Sequence, residues 1–354
     1  MFGRLVNVFW SIGAISFVVV AAATSTDNDE SSVFSFERIS NEVKKNKNRR
    51  WTSTPASVFR RFEGMKISDI SSLYMGIPNE FPTLSSSLLS ISNVRPSVAF
   101  DEDPSFDWRN GSLANCVGAV VDQERCGSCW AVSAVESFAD RLCIFEARNN
   151  DSASTRVALS ALDLIACDKL CEGFGTKCCR GCSGGYPKLA FEYIQKAGIV
   201  SKACMPYNLT RSLLCPVPKC KKPLDDRVYM GKDSRHVVGG APAMQREIKS
   251  NGPISATFTV YEDFLTYSNG VYEYSGVGRR VGLHAVKVVG WGTTDDGTIL
   301  YWKCQNSWGT QWGMDGTFNI AFGQCGFELN AYTATPCLDN DILCHSPPKN
   351  NLKF

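Results

Sequence analysis

Sixteen cysteines, the first at Cys116 and the last at Cys344, leave the opening third of this 354-residue chain without one. Cysteine used this heavily belongs to an oxidising compartment, where disulfides supplement or replace hydrophobic core. The chain therefore divides into a cysteine-free leader and a stapled globular part. Eight of the cysteines, Cys167, Cys171, Cys178, Cys179, Cys182, Cys204, Cys215 and Cys220, fall in loop-like sequence between Ala161 and Lys222, where disulfides stand in for apolar burial. The N-terminus fits the same route. Arg4, an apolar run from Leu5 to Val20 and the small residues Ala21 to Ala23 read as a secretory signal over 1–23. Asn7, Ser11 and Ser16 interrupt the run, which favours cleavage over a retained anchor, and no membrane insertion is expected afterwards. Asn110-Gly-Ser, Asn150-Asp-Ser and Asn208-Leu-Thr are glycosylation sequons that matter only on such a route.

Charge carries little information: 37 basic and 35 acidic residues give a net charge of +2 and no reason to expect a nucleic-acid surface. The leader, about Ser25 to Asp103, contains the basic cluster KKNKNRR and the serine-rich FPTLSSSLLSISN. Its composition predicts a poorly structured segment with one short helix. Past Pro104 the chain becomes dense in Gly, Cys and aromatics. Ala131, Ala134, Val135, Phe138, Leu142 and Phe145 recur at helical spacing, with Ser128 as the expected N-cap and Cys129 at the first helical position. Later, ISATFTV, GLHAVKVVGWG and LYWKCQNSWG are short β-branched or aromatic runs bounded by turn residues. Helix first and antiparallel strands later predict an α+β fold of two lobes.

The stretch QERCGSCW, Gln123 to Trp130, places two cysteines at a spacing open to three chemistries: a redox pair, half of a zinc site, or a nucleophile beside a disulfide. A nucleophilic cysteine must be a thiolate, and a helix N-terminus lowers the thiol pKa because its unpaired N–H groups carry partial positive charge. Cys129 has that position and Cys126 does not. Of the three histidines, His345 lies in a polar tail and His236 in SRHVVGG, both ordinary surface settings. His284, in a strand of the other lobe, is placed to form a thiolate–imidazolium pair and to protonate a leaving amine. Asn306 can orient that ring without adding charge, with Trp308 excluding water, and the Gln123 amide can join the Cys129 N–H in holding an oxyanion.

Taken together, CGSCW, a strand histidine and NSWG resemble the papain-type cysteine peptidases, at separations somewhat longer than the ~130–150 residues of that signature. SFDWR, VVDQERCGSCWAVSAVES, GCSGGYP, NGPISATFTVYEDFLTYSNGVYEY, HAVKVVGWG and QCGFE are similar to the cathepsin B-like branch, over nearly all of 104–336. The resemblance implies a papain-like α+β fold with a mainly helical left lobe over about 104–235 and a β-barrel-like right lobe over about 236–336. It implies a propeptide over 24–103 that occupies the cleft as an inhibitor, followed at the far end by a tail over 337–354. Cys129, His284, Asn306 and Gln123 take the roles of nucleophile, general acid/base, orienting residue and oxyanion donor. Gly184, Gly185, Trp308 and Asn330 become substrate-binding positions, and Cys116–Cys143 and Cys126–Cys182 become disulfides. Partners are then protein or peptide substrates, the propeptide and cystatin-type inhibitors. The destination is a lysosome- or vacuole-like compartment or the exterior, and no cofactor or metal is expected.

Two departures change what is implied. The region equivalent to the occluding loop of this branch, SKACMPYNLTRSLLCPVPKCKKPLDD, is short and lacks the histidine pair that anchors a substrate's C-terminal carboxylate; Arg211 would be a weak substitute. Endopeptidase action with reduced dipeptidyl-carboxypeptidase activity is expected. Asn330 stands where an acidic residue normally closes the S2 pocket, so apolar or small P2 side chains are expected over Arg. With Cys129 set apart, fifteen cysteines remain, so at least one more is unpaired or bonded to another molecule. The competing readings are a thiol–disulfide oxidoreductase, which needs neither His284 nor Asn306; a zinc site from Cys178, Cys179 and Cys182; and an inactive binding protein on a peptidase scaffold.

Overall fold

The computed structural model describes residues 33–47, 49–54, 59–78, 103–149, 155–172, 175–210, 214–216, 220 and 228–337. The signal stretch 1–23, Asn150, Arg211, Cys344, His345 and much of the loop between Cys204 and Val228 lie outside them. The leader contributes helix α1 (Phe36–Lys45), strand β1 (Trp51–Ser53) and helix α2 (Ile67–Tyr74). The globular part follows with β2 (Phe106–Asp107), α3 (Cys129–Asn149), α4 (Ala161–Cys167), β3 (Cys171–Glu172), β4 (Lys177–Cys178), α5 (Pro187–Lys196), β5 (Ile199–Val200), β6 (Val228–Tyr229), β7 (Gly231–His236) and α6 (Gly240–Asn251). It ends with β8 (Ile254–Tyr261), β9 (Tyr267–Tyr272), β10 (Arg280–Thr293), β11 (Leu300–Gln305), β12 (Thr317–Ala321) and β13 (Asn330–Pro336).

The main sheet runs β1-β9-β12-β11-β10-β8-β13-β7, with β2 added on β10. Only the β12–β9 pair along this path is parallel, as the alternation of strands and short turns predicts for a predominantly antiparallel lobe. Two separate cores result. One joins the sheet to the leader and is dense in aromatics; the other surrounds α3, α4 and α5. This is the two-lobe α+β architecture expected from the sequence, though β2 and Trp108, at the start of the globular part, pack with the sheet. α3 lies between the lobes and is buried on nearly every face. Its charged residues are accordingly paired. Asp140 accepts from Lys287 Nζ on β10 and from Arg156 Nε, each at 2.6 Å, and Arg141 Nη2 reaches Glu247 at 2.7 Å.

The leader is more ordered than its composition predicts. Phe34, Phe36, Ile39, Val43, Trp51, Phe59 and Phe62 are all buried. Ser35 caps α1 by accepting from Arg38 N–H at 3.3 Å, and Arg49 Nη1 closes its other end on the carbonyls of Val43, Lys44 and Asn46. Part of the basic run is thus a helix stop. β1 pairs antiparallel with β9, Trp51 opposite Gly270, where a Cβ would come within 2.2 Å of the Arg50 carbonyl oxygen. Only glycine permits that approach.

Five disulfides join described residues: Cys116–Cys143, Cys126–Cys182, Cys167–Cys215, Cys171–Cys178 and Cys204–Cys220. Among the described residues Cys129, Cys179, Cys304 and Cys325 are free thiols, so three of these cysteines besides Cys129 are unpaired. Cys178 and Cys182 are spent in disulfides, which removes the thiolates a zinc site there would need, and no other cluster of metal-binding side chains occurs among the described residues. The bond from Cys126 to Cys182 likewise takes Cys126 out of a redox pair with Cys129.

Candidate active site

Cys129 begins α3, and the helix's first bonds run from Ala131 and Val132 N–H to the Ser128 carbonyl. Ser128 does not cap with its side chain, contrary to expectation; its hydroxyl turns instead toward Tyr207 Oη at 3.0 Å and Cys126 O at 3.4 Å. Across the cleft, His284 lies on β10, fully buried. The next residue, Ala285, donates its N–H to Cys129 Sγ at 3.4 Å, so thiol and imidazole belong to one site. His284 Nε2 lies 2.8 Å from Asn306 Oδ1. That oxygen also accepts from Ser307 N–H at 2.7 Å, which identifies it as the carbonyl oxygen and leaves Nε2 as the donor. Nδ1 is then the unprotonated nitrogen of the neutral ring, free of any hydrogen bond among the described residues. Trp308 covers the pair, its ring centroid 4.8 Å from that of His284.

Gln123 is held at every polar group. Its backbone N–H donates to Ser307 O at 2.8 Å, its Oε1 accepts from Ser307 Oγ at 2.6 Å, and Nε2 donates to Cys126 O at 2.8 Å and to Tyr74 O at 3.1 Å. Ser307 therefore couples the orienting asparagine to the oxyanion residue. Sequence reasoning missed it, although it stands inside the NSWG motif.

The leader occupies the cleft with the backbone that leaves the C-terminal end of α2. Gly76 N–H donates to Cys129 Sγ at 3.2 Å and Gly185 N–H donates to Gly76 O at 2.9 Å, while Ile77 bridges to Leu283 and the Tyr74 carbonyl sits on Gln123. What meets the sulfur from the leader is the N–H of Gly76. A Cβ on Gly184 would come 3.0 Å from Gly76 O, and one on Gly185 would strike the Trp130 ring at 2.6 Å. Both glycines line the groove because no side chain fits there. Anchors extend the hold: Arg61 forms a two-pronged ion pair with Asp122, and Arg38 Nη2 reaches the buried Glu262 at 3.1 Å beside Arg279. Asn330, half-buried, opens β13 opposite Thr257. His236 stacks on Tyr332, away from the thiol, in the structural role expected for it.

The charged pair expected for Cys129 and His284 is not favoured in this form. Burial pushes the thiol up to about 12, and the N–H groups of Ala285, Trp130 and Cys129 itself offset only part of that. Burial also brings His284 down to about 4, against the smaller opposing effects of Asn306 and the Tyr74 backbone. The leader removes the water that an ion pair needs, and desolvation outweighs the helix terminus. Because the thiol is raised, its thiolate fraction grows about tenfold per pH unit all the way to about 12. Alkylation of Cys129 in the intact chain, followed by peptide mass mapping, is expected to climb with that slope between pH 6 and 9. A flat profile would mean that the ion pair persists beneath the leader.

A family model described as papain family cysteine protease matches residues 103–335. Cathepsin B-like protease 1 of Arabidopsis thaliana is 39% identical over 231 residues, which are 61% of this chain and 57% of that protein's length. Cathepsin B-like cysteine proteinase 6 of Caenorhabditis elegans is 37% identical over 298 residues, 72% of this chain and 75% of the relative. Among solved structures, proCathepsin B S9 from Trypanosoma congolense superposes with a TM-score of 0.66 at 28% identity, covering 85% of this chain and 98% of its own. Motif, fold and cleft agree with these matches, and the chain belongs to the papain family of cysteine proteases.

Proposed function

We propose that the chain is the zymogen of a cathepsin B-like cysteine endopeptidase, with residues 24–103 as its inhibitory propeptide. The observation that carries this reading is the backbone from Tyr74, at the end of α2, to Ile77, bonded to Cys129, Gln123 and Gly185 across the cleft. With the propeptide gone, water returns to the cleft and the thiol can pass its proton to His284 Nδ1. Sγ then attacks a peptide carbonyl carbon, and the oxyanion is held by the Gln123 amide and the Cys129 N–H. His284 returns the proton to the leaving amine as the C–N bond breaks. A water molecule, deprotonated by the same nitrogen, attacks the thioester, releases the acid and restores the thiol. Asn306, fixed by Ser307, keeps the ring in plane throughout.

The enzyme acts on proteins and peptides along the secretory route, in a lysosome-like compartment or outside the cell, where cystatin-type inhibitors are its counterparts. Two sequons suit that route: Asn110 is exposed, and Asn208 Oδ1 accepts from Thr210 N–H and Oγ at 3.0 and 2.6 Å. A cleavage profile of the activated enzyme tests the reading. An internally quenched peptide is expected to be cut at least tenfold faster than release of a free C-terminal dipeptide, and Phe-Arg reporters faster than Arg-Arg reporters, since a buried guanidinium would find no carboxylate at Asn330. Efficient dipeptide release would remove the endopeptidase assignment, and preference for Arg-Arg would remove the assignment of Asn330.

A further inference from the structure

We infer that Tyr207 is a positioning residue for the oxyanion site; this rests on the reading of Cys129 as nucleophile and Gln123 as oxyanion donor. The stretch 123–128 that carries both hole components has little regular structure of its own. Glu124 sits at φ 57°, in the left-handed region that a non-glycine residue occupies only when its surroundings hold it there. One side is clamped by the Cys126–Cys182 bond and by Gly127 N–H on Cys182 O at 3.0 Å. The other side has Tyr207. Its hydroxyl donates to Gln123 O at 2.8 Å and lies 3.0 Å from Ser128 Oγ, so one side chain touches both ends of the stretch.

Proton counting fixes the direction. A phenol has one proton, and the Gln123 carbonyl can only accept, so Tyr207 donates there and Ser128 donates to Tyr207. The serine's other acceptor, Cys126 O, is farther at 3.4 Å. Ser128 immediately precedes Cys129, whose N–H is the second oxyanion donor. The chain Gln123–Tyr207–Ser128 therefore sets the separation of the two donors, which is what preorganisation of an oxyanion site requires. Tyr207 lies just after Cys204, which is bonded to Cys220.

The test is Tyr207→Phe in the activated enzyme, which deletes only the hydroxyl. Expected are a fall in kcat of about tenfold with KM within twofold, an equal loss of affinity for a peptide aldehyde, whose tetrahedral adduct uses the hole, and unchanged alkylation of Cys129 by iodoacetamide. Ser128→Ala, which keeps the Tyr207 bond to Gln123, is expected to lose about threefold in the same two quantities, and it decides the matter should Tyr207→Phe fail to fold. Wild-type turnover in both variants would overturn the inference. So would a loss of turnover with aldehyde affinity intact, or a parallel fall in alkylation that marks general collapse of the cleft. Absence of both turnover and Cys129 labelling in the wild-type enzyme would instead overturn the underlying catalytic reading.

Discussion

Replacing Cys129 with alanine is expected to lower kcat/KM for peptide hydrolysis by at least about 10^4-fold, with the fold intact. The size follows from the lack of a substitute. Desolvation raises the pKa of the Cys179, Cys304 and Cys325 thiols, and at Cys325 the acidic Asp263 and Glu328 further oppose a thiolate. None of them adjoins an imidazole paired to an amide. Alanine is small enough for the buried start of α3, so thermal unfolding should shift little. Adding His284→Ala to the same chain should cost almost nothing more, because nucleophile and base act as a unit. Residual hydrolysis within a hundredfold of wild type in the single variant would assign the chemistry to another residue.

Gly76→Val is expected to release the cleft without any cut in the chain. A Cβ at this position would lie 2.2 Å from the Gly127 carbonyl oxygen and 3.1 Å from Cys129 Sγ, with the Gly184 loop closing the other side. Backbone on both flanks cannot yield as a flexible side chain would, so the leader must lift locally. Lifting also restores water around Cys129 and His284, which reverses the desolvation that keeps both neutral. Labelling of Cys129 by a small epoxide peptide should therefore rise by about tenfold to a hundredfold over the intact wild-type chain at neutral pH. The Arg61 and Arg38 anchors remain, so the leader should stay attached and the protein folded. Labelling equal to wild type would show that the hold on the cleft does not depend on the Gly76 contact.

Much of this was legible in the residues. The helix at Cys129 announced itself by apolar spacing, and β8, β10 and β11 by β-branched and aromatic runs between turn residues. The leader was harder to read. Phe36, Ile39 and Val43 do follow helical spacing, and Ser35 is a proper cap, but the helix is short and too little apolar surface adjoins it in sequence to hold it. Its order comes from Phe34 and Phe59 of the leader and from the sheet lobe, partners brought together only by the fold. Electrostatics misled for a related reason. The thiol's position at a helix start was correctly placed, yet its pKa depends on who covers it, and the covering residues Tyr74 to Ile77 carry no motif. Ser128 and Tyr207 illustrate the same limit: a serine before a helix reads as a cap until a distant hydroxyl competes for it.

The pairing of β1 with β9 has a consequence for the enzyme's solubility. In the full chain the leader contributes the outermost strand on that side of the sheet. Excising it uncovers the backbone N–H and C=O groups of β9 that Trp51 to Ser53 had satisfied, and creates an open strand edge next to Gly270, a residue with no side chain to guard it. Liberation of the cleft and exposure of a self-pairing template are thus one event, so the conditions that activate the protein are also those in which it becomes most able to associate with itself.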